Sequence, residues 1–140
     1  MSFIATGDNT ATTTEITNDD AKLPNIKLAD FRFHIRQDTT VPDGVVLNHL
    51  QAGMDNVNRE ISTWLASKTS LTDKQKRLYL TAVYHYAKAQ MITEYQDFDS
   101  TGDNFTQAEM ISNRIGNEWI SYRATIRVLL GLNVFRSELI

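Results

Sequence analysis

The chain has 140 residues, 41% hydrophobic and 22% charged, which fits one domain with one core and a radius of gyration of about 14 Å. A net charge of −3 and an isoelectric point near 5.5 give no basic footprint for gripping duplex DNA, and the absence of cysteine excludes a disulfide scaffold or a thiolate zinc site. The opening MSFIATGDNT lacks the basic and apolar regions of a signal peptide, and no stretch approaches the roughly 18 apolar residues of a membrane span.

Residues 1–23 are expected to form an extended arm. From Ala5 to Lys22 the sequence is polar and rich in threonine (Thr6, Thr10, Thr12, Thr13, Thr14, Thr17), with no helical period, so alone it should be mobile. A helical domain over 24–131 follows. It opens with a short helix over Leu28–Gln37, with Phe31 and Ile35 on one side and Arg32 and Arg36 on the other.

Three long helices come next, each opened by a threonine whose hydroxyl can cap an orphan N–H while a residue three positions on bonds back. The pairs are Thr40 with Asp43, Thr72 with Gln75, and Thr106 with Glu109, and Pro42 is expected within the first turn of the first helix. After Thr40 the stripe Val46, Leu50, Met54, Val57, Ile61, Trp64, Leu65 runs to about Ser67, with Asp55 and Arg59 as an i,i+4 pair elsewhere. After Thr106 the stripe is Ala108, Ile111, Ile115, Trp119, Tyr122, Ile126, Leu129, ending at Gly131, where a helix C-terminus favours glycine. These two helices would each run roughly 35–40 Å.

The helix between them is different. Leu78 to Ala87 reads LYLTAVYHYA, without a formal charge, and Tyr79, Tyr84, Tyr86 and Tyr95 lie on or just beyond it. A helix apolar or aromatic all round has to be covered all round, by the core of a large domain or by a partner chain. Tyrosine suits a partner, because its ring buries area while the hydroxyl finds a polar group at the boundary. Two readings stand: the central helix of a four-helix bundle, or a subunit interface built on Tyr79, Tyr84, Tyr86 and Tyr95. Residues 132–140 form a C-terminal tail whose Val134, Phe135, Leu139 and Ile140, with Arg136 among them, call for a docking surface. The expected fold is thus all-α: an elongated bundle of about four helices, three long and one short, with an N-terminal arm and a C-terminal tail.

Candidate chemistry is sparse. The loop DFDSTGDNFTQAE places Asp97, Asp99, Thr101 and Gly102 at positions 1, 3, 5 and 6 of a calcium-binding loop, but position 12 is Ala108 and Glu109 falls one place late. A small helical ligand- or metal-binding module using Asp97–Asp103 is the alternative this leaves open. The structural reading is that Gly102 turns the chain while Asp103 and Thr106 serve the next helix start. His34, His49 and His85 fall on three different helices without a Glu-x-x-His partner, and no P-loop, G-x-S-x-G or H-E-x-x-H is present. No metal, cofactor or catalytic residue is therefore nominated, and the chain is not expected to be an enzyme. Lys74, Lys76 and Arg77 read as a solvated helix start, with Asp73 four residues before Arg77 to pair with it. Arg123 and Arg127 share one face of the last helix, where phosphates or a neighbour's carboxylates would satisfy them.

Taken in order, NIKLADFRFHIRQDTTV (Asn25–Val41), NVNREISTW (Asn56–Trp64), Tyr79–Tyr95, Asp97–Gly102, WISYRATIR (Trp119–Arg127) and the final LI resemble the head-completion proteins of contractile-tailed bacteriophages, the GpL-type family. The resemblance covers residues 24–140 and leaves out the threonine-rich arm. It implies a structural virion protein made in the bacterial host cytoplasm and placed at the head–tail interface, or neck, with no membrane involved. It further implies a helical adaptor that forms a ring beneath the portal, expected to follow its twelve-fold symmetry, joining head to tail and helping retain packaged DNA. The portal would lie above it, a further neck or tail-terminator protein below, and DNA would pass through the lumen without sequence-specific contact. The acidic balance suits such a channel, since tight phosphate contacts would hold the duplex in place. Another ring protein of the neck or tail terminus is the neighbouring alternative.

Overall fold

A short antiparallel ladder, β1 (Glu15–Ile16) with β2 (Ile26–Lys27), begins the fold in a computed structural model that describes residues 14–35, 41–99 and 105–132. Glu15 stands opposite Lys27 and Ile16 opposite Ile26, which buries Ile26. The chain then passes directly into α1 (Leu28–Ile35), followed by α2 (Asp43–Glu60), α3 (Ser62–Ala66), α4 (Asp73–Asp99) and α5 (Phe105–Leu129). The molecule is predominantly α, as the periodicity predicts.

The tyrosine-rich α4 is the axis. Helix α2 packs along one side of it and α5 along another, while α1 lies across its middle. Val46, Leu50, Met54, Val57, Ile61 and Leu65 are all buried, so the predicted stripe is the core face, with Trp64 half-buried at its edge. The expected single helix to Ser67 is interrupted at Ile61 (φ −98°, ψ 8°), although the i→i−4 ladder continues from Ile61 N–H to Val57 C=O and from Leu65 N–H to Ile61 C=O. Ile61 stays in the core through the break. Close approach of α2 to α4 depends on Gly53. A Cβ there would lie 3.1 Å from the Val83 carbonyl oxygen and 3.3 Å from the Tyr86 ring.

The helix ends divide by chemistry. At α4 the capping box is present: Gln75 N–H donates to the Thr72 hydroxyl (3.1 Å) and Thr72 N–H donates to the Gln75 side chain (2.8 Å). Gly131, at φ +79°, ends α5 in a Schellman arrangement, with Leu132 N–H bonded to Arg127 C=O and Gly131 N–H to Val128 C=O. The other two starts differ from expectation. Pro42 is itself the N-cap of α2, without a side-chain cap, and Asp43 accepts a 2.6 Å bond from Arg32 instead of serving a capping box. Thr40 lies outside the described residues. Thr106 lies inside α5, which begins at Phe105, so it does not precede the helix as a cap would.

Of the arm expected over residues 1–23, the structure describes residues 14–23. From Thr14 onward it is held by the helical domain. The Thr14 carbonyl accepts from Leu28 N–H, Leu23 is buried, and Lys22 Nζ donates to the Leu65 and Lys68 carbonyls at the C-terminal end of α3. Threonine-rich polarity signals a lack of apolar driving force, yet here side-chain hydrogen bonds do the anchoring. Residues 1–13 lie outside the described part.

Candidate functional site

The fifteen residues from Leu78 to Met91 and Ile92 include none that is exposed. The cover that the sequence reading assigned partly to a second subunit is supplied by the chain itself, with α1 and α2 on one side and α5 on another. Tyr79 is wholly buried, and its hydroxyl donates to Asn58 Oδ1 (2.6 Å) while accepting from Asn18 Nδ2 (2.8 Å). Burial drives its phenol pKa up, partly offset by the Asn18 contact. Tyr84 packs on Phe31 and against His34, and burial together with the Asp30 charge raises its pKa to about 12. These two tyrosines therefore have almost no surface left for a neighbour. Tyr86 is half-buried where three helices meet, beside Gly53 of α2 and edge-on to Trp119 and Tyr122 of α5, with ring centroids at 5.2 and 5.6 Å. Tyr95 is on α4, and its side chain lies outside the described residues.

Two polar networks tie α5 to the rest. Tyr122 donates to Glu60 Oε2 (2.8 Å) and accepts from Asn56 Nδ2 (2.8 Å), so its pKa is raised by burial and by the Glu60 carboxylate. On the opposite flank Glu118 accepts from His85 Nδ1 (2.7 Å) and Lys88 Nζ (3.0 Å). Burial alone would raise the Glu118 pKa, but these two hydrogen bonds and the charges behind them outweigh it and hold it low. His34 stands next to this group, and its pKa is lowered by burial and by the nearby His85 and Lys88. The three histidines lie on three different helices, as expected, with the His34 and His85 rings 6.4 Å apart across α1 and α4 and His49 paired with Glu94 (2.6 Å).

No trio of His, Cys, Asp or Glu among the described residues is placed to hold a metal. Helix α4 continues to Asp99, so Asp97 and Asp99, positions 1 and 3 of the supposed calcium loop, are helical. Residues 100–104 lie outside the described part. An open groove beside the 19–22 turn, floored by Asn58, Ser62, Leu65 and Ala66, has no convergent set of polar groups suited to chemistry. No described helix is long and apolar enough to cross a membrane.

The surface feature that sequence periodicity passed over is the outward side of α5. Ile120 (64% exposed), Val128 (53%) and Met110 (60%) lie off the buried stripe, and Leu132 continues beyond the helix. Arg114, Arg123 and Arg127 are exposed beside them, without an acidic partner among the described residues. The signal was present as large apolar residues at off-stripe positions, but a lone exposed isoleucine is ordinary and says little until its neighbours are known. The docking-tail residues Val134, Phe135, Arg136, Leu139 and Ile140 lie outside the described residues.

This architecture offers packed helices with an apolar and basic outer face on α5. Neither a curated protein nor a solved structure matches the chain. The sequence model of the phage head completion protein (GPL) family matches residues 70–140, the stretch that carries α4, α5 and the tail, and the chain belongs to that family.

Proposed function

We propose that this chain, a structural head-completion protein, acts as an adaptor ring beneath the portal, joining the filled head to the tail and helping retain DNA. The observation that carries the reading is the extent of the family match, which takes in α4 and α5 and continues to Ile140. The segment from Val134 to Ile140 docks on the portal, since a run with Val, Phe, Leu and Ile gains by burial against a partner. Copies of the chain close into a ring of the portal's symmetry, proposed as twelve-fold, through heterologous contacts, which require two different patches per subunit. A further neck or tail-terminator protein binds below. DNA passes through the lumen and meets a chain of net charge −3 that offers little grip.

The test is electron microscopy of purified portal rings mixed with the full chain or with a chain lacking residues 134–140. The full chain should add an ordered layer on one face of the portal. The truncated chain should keep its helical circular dichroism and add none. A truncated chain that still decorates the portal would refute the docking role of the tail.

A further inference from the structure

The large exposed hydrophobic side chains among the described residues fall in two places. One is the outward side of α5, where Ile120, Ala124 and Val128 follow one another at i, i+4 and i+8. The other is Phe33 on α1, 86% exposed, with exposed Asp30 one turn before it on the same face. The charges flanking them are opposite in sign. Arg123 and Arg127 border the α5 strip without acidic partners among the described residues. Beside Phe33 stands the exposed Asp30 carboxylate, while the cationic Arg32 next to it is already held by Asp43 and the Val41 carbonyl.

We propose that the outward face of α5, Ile120–Ala124–Val128 with Arg123 and Arg127, receives the Phe33–Asp30 face of a second copy of this chain. The inference rests on the ring reading and names the surfaces that would build it. An aromatic knob seated on a helix face between small and branched side chains buries apolar area on both partners, and Ala124 leaves room for the ring. Arg123 and Arg127 then meet the Asp30 carboxylate, which fixes the direction of the contact. Two α5 faces placed against each other would instead bring arginine to arginine. A contact between unlike patches propagates from copy to copy, as ring closure needs. The exposed arginines thus find partners in carboxylates, not in DNA phosphates.

The chain has no cysteine, so engineered pairs report cleanly. The full-length variant carrying both Phe33→Cys and Ala124→Cys, oxidised alone and with portal rings, should give a ladder of disulfide-linked multimers, while each single variant stays uncross-linked. Ile120→Asp should raise the concentration for half-assembly at least about tenfold in sedimentation, with helical circular dichroism unchanged. Dimers from Ala124→Cys alone would mean that α5 meets α5, which overturns the assignment. Wild type that assembles while the double variant gives no ladder and Ile120→Asp assembles normally overturns these surfaces but leaves the ring standing. Wild type that stays monomeric even with portal present defeats the ring reading and this inference together. Loss of duplex-DNA binding without loss of assembly in Arg123→Asp/Arg127→Asp would assign the face to the channel and overturn the proposal.

Discussion

Replacing Tyr79 with phenylalanine removes one oxygen atom from the core and leaves the ring in place, so the change isolates the hydrogen-bond network that ties the N-terminal segment to the bundle. The hydroxyl donates to Asn58 Oδ1 at 2.6 Å and accepts from Asn18 Nδ2 at 2.8 Å. Asn18 is the one buried polar side chain among the described residues, and its amide also donates to the Pro24 carbonyl (3.0 Å) while its oxygen accepts from Asn58 Nδ2 (3.0 Å). After the substitution Asn18 keeps those bonds but strands one amide hydrogen away from water. Asn58 is only half-buried and can turn its free oxygen to solvent. The cost is one net hydrogen bond, about 1 kcal/mol, plus one buried unsatisfied donor at about 1–2 kcal/mol, or roughly 2–3 kcal/mol in all. For a domain of this size that lowers Tm by on the order of 6–12 °C. Thermal unfolding by circular dichroism measures it, and a cycle with Asn18→Ala tests the cause. The double variant should cost clearly less than the sum of the singles, because each already breaks the shared bond. Amide exchange at residues 15–27 should speed up in Tyr79→Phe. A loss below about 0.5 kcal/mol, or strict additivity, would show that the segment is held by Lys22 and the β ladder and not by this network.

Three further outcomes are expected. Tyr84→Ala should cost about 3 kcal/mol by emptying the space between Phe31 and His34, and it should lower Tm more than it affects assembly; normal stability with lost assembly would return this residue to an interface. Gly53→Leu should lower Tm strongly, since even a Cβ meets the Val83 backbone carbonyl at 3.1 Å, and a variant as stable as wild type would show that α2 and α4 are not in close contact there. Acid should destabilise the fold in two stages. Partial desolvation of the His34 ring lowers its pKa, with His85 and Lys88 adding to it, so the unfolded chain takes up the proton first and stability falls as pH drops below about 6.5. Glu118 is likewise held low, and its contribution is lost as pH falls below about 4.5. His34→Gln should flatten the first stage of a Tm-against-pH plot, and an unchanged slope between about pH 7 and 5 would reject the His34 assignment.

What could be read from the residues was what depends on near neighbours along the chain. The i, i+3, i+4 recurrence from Val46 to Leu65 fixed a helix and its buried face, Thr72 with Gln75 fixed a start, and Gly131 fixed an end, because each is settled within about two turns of backbone. Local signals were less decisive where a remote partner competed. Asp43 looked like half of a capping box but pairs with Arg32, which approaches from another helix. The polar stretch before Leu23 looked free but closes on Asn58, Tyr79 and Leu65, residues about 40 to 60 positions away. The tyrosine-rich helix shows the limit most clearly. That it has to be covered on all sides follows from its composition, since uncharged aromatic surface cannot be left in water. Who covers it is a question of which surfaces meet in space, and only the packing of α1, α2 and α5 around α4 answered it and left the outer side of α5 exposed.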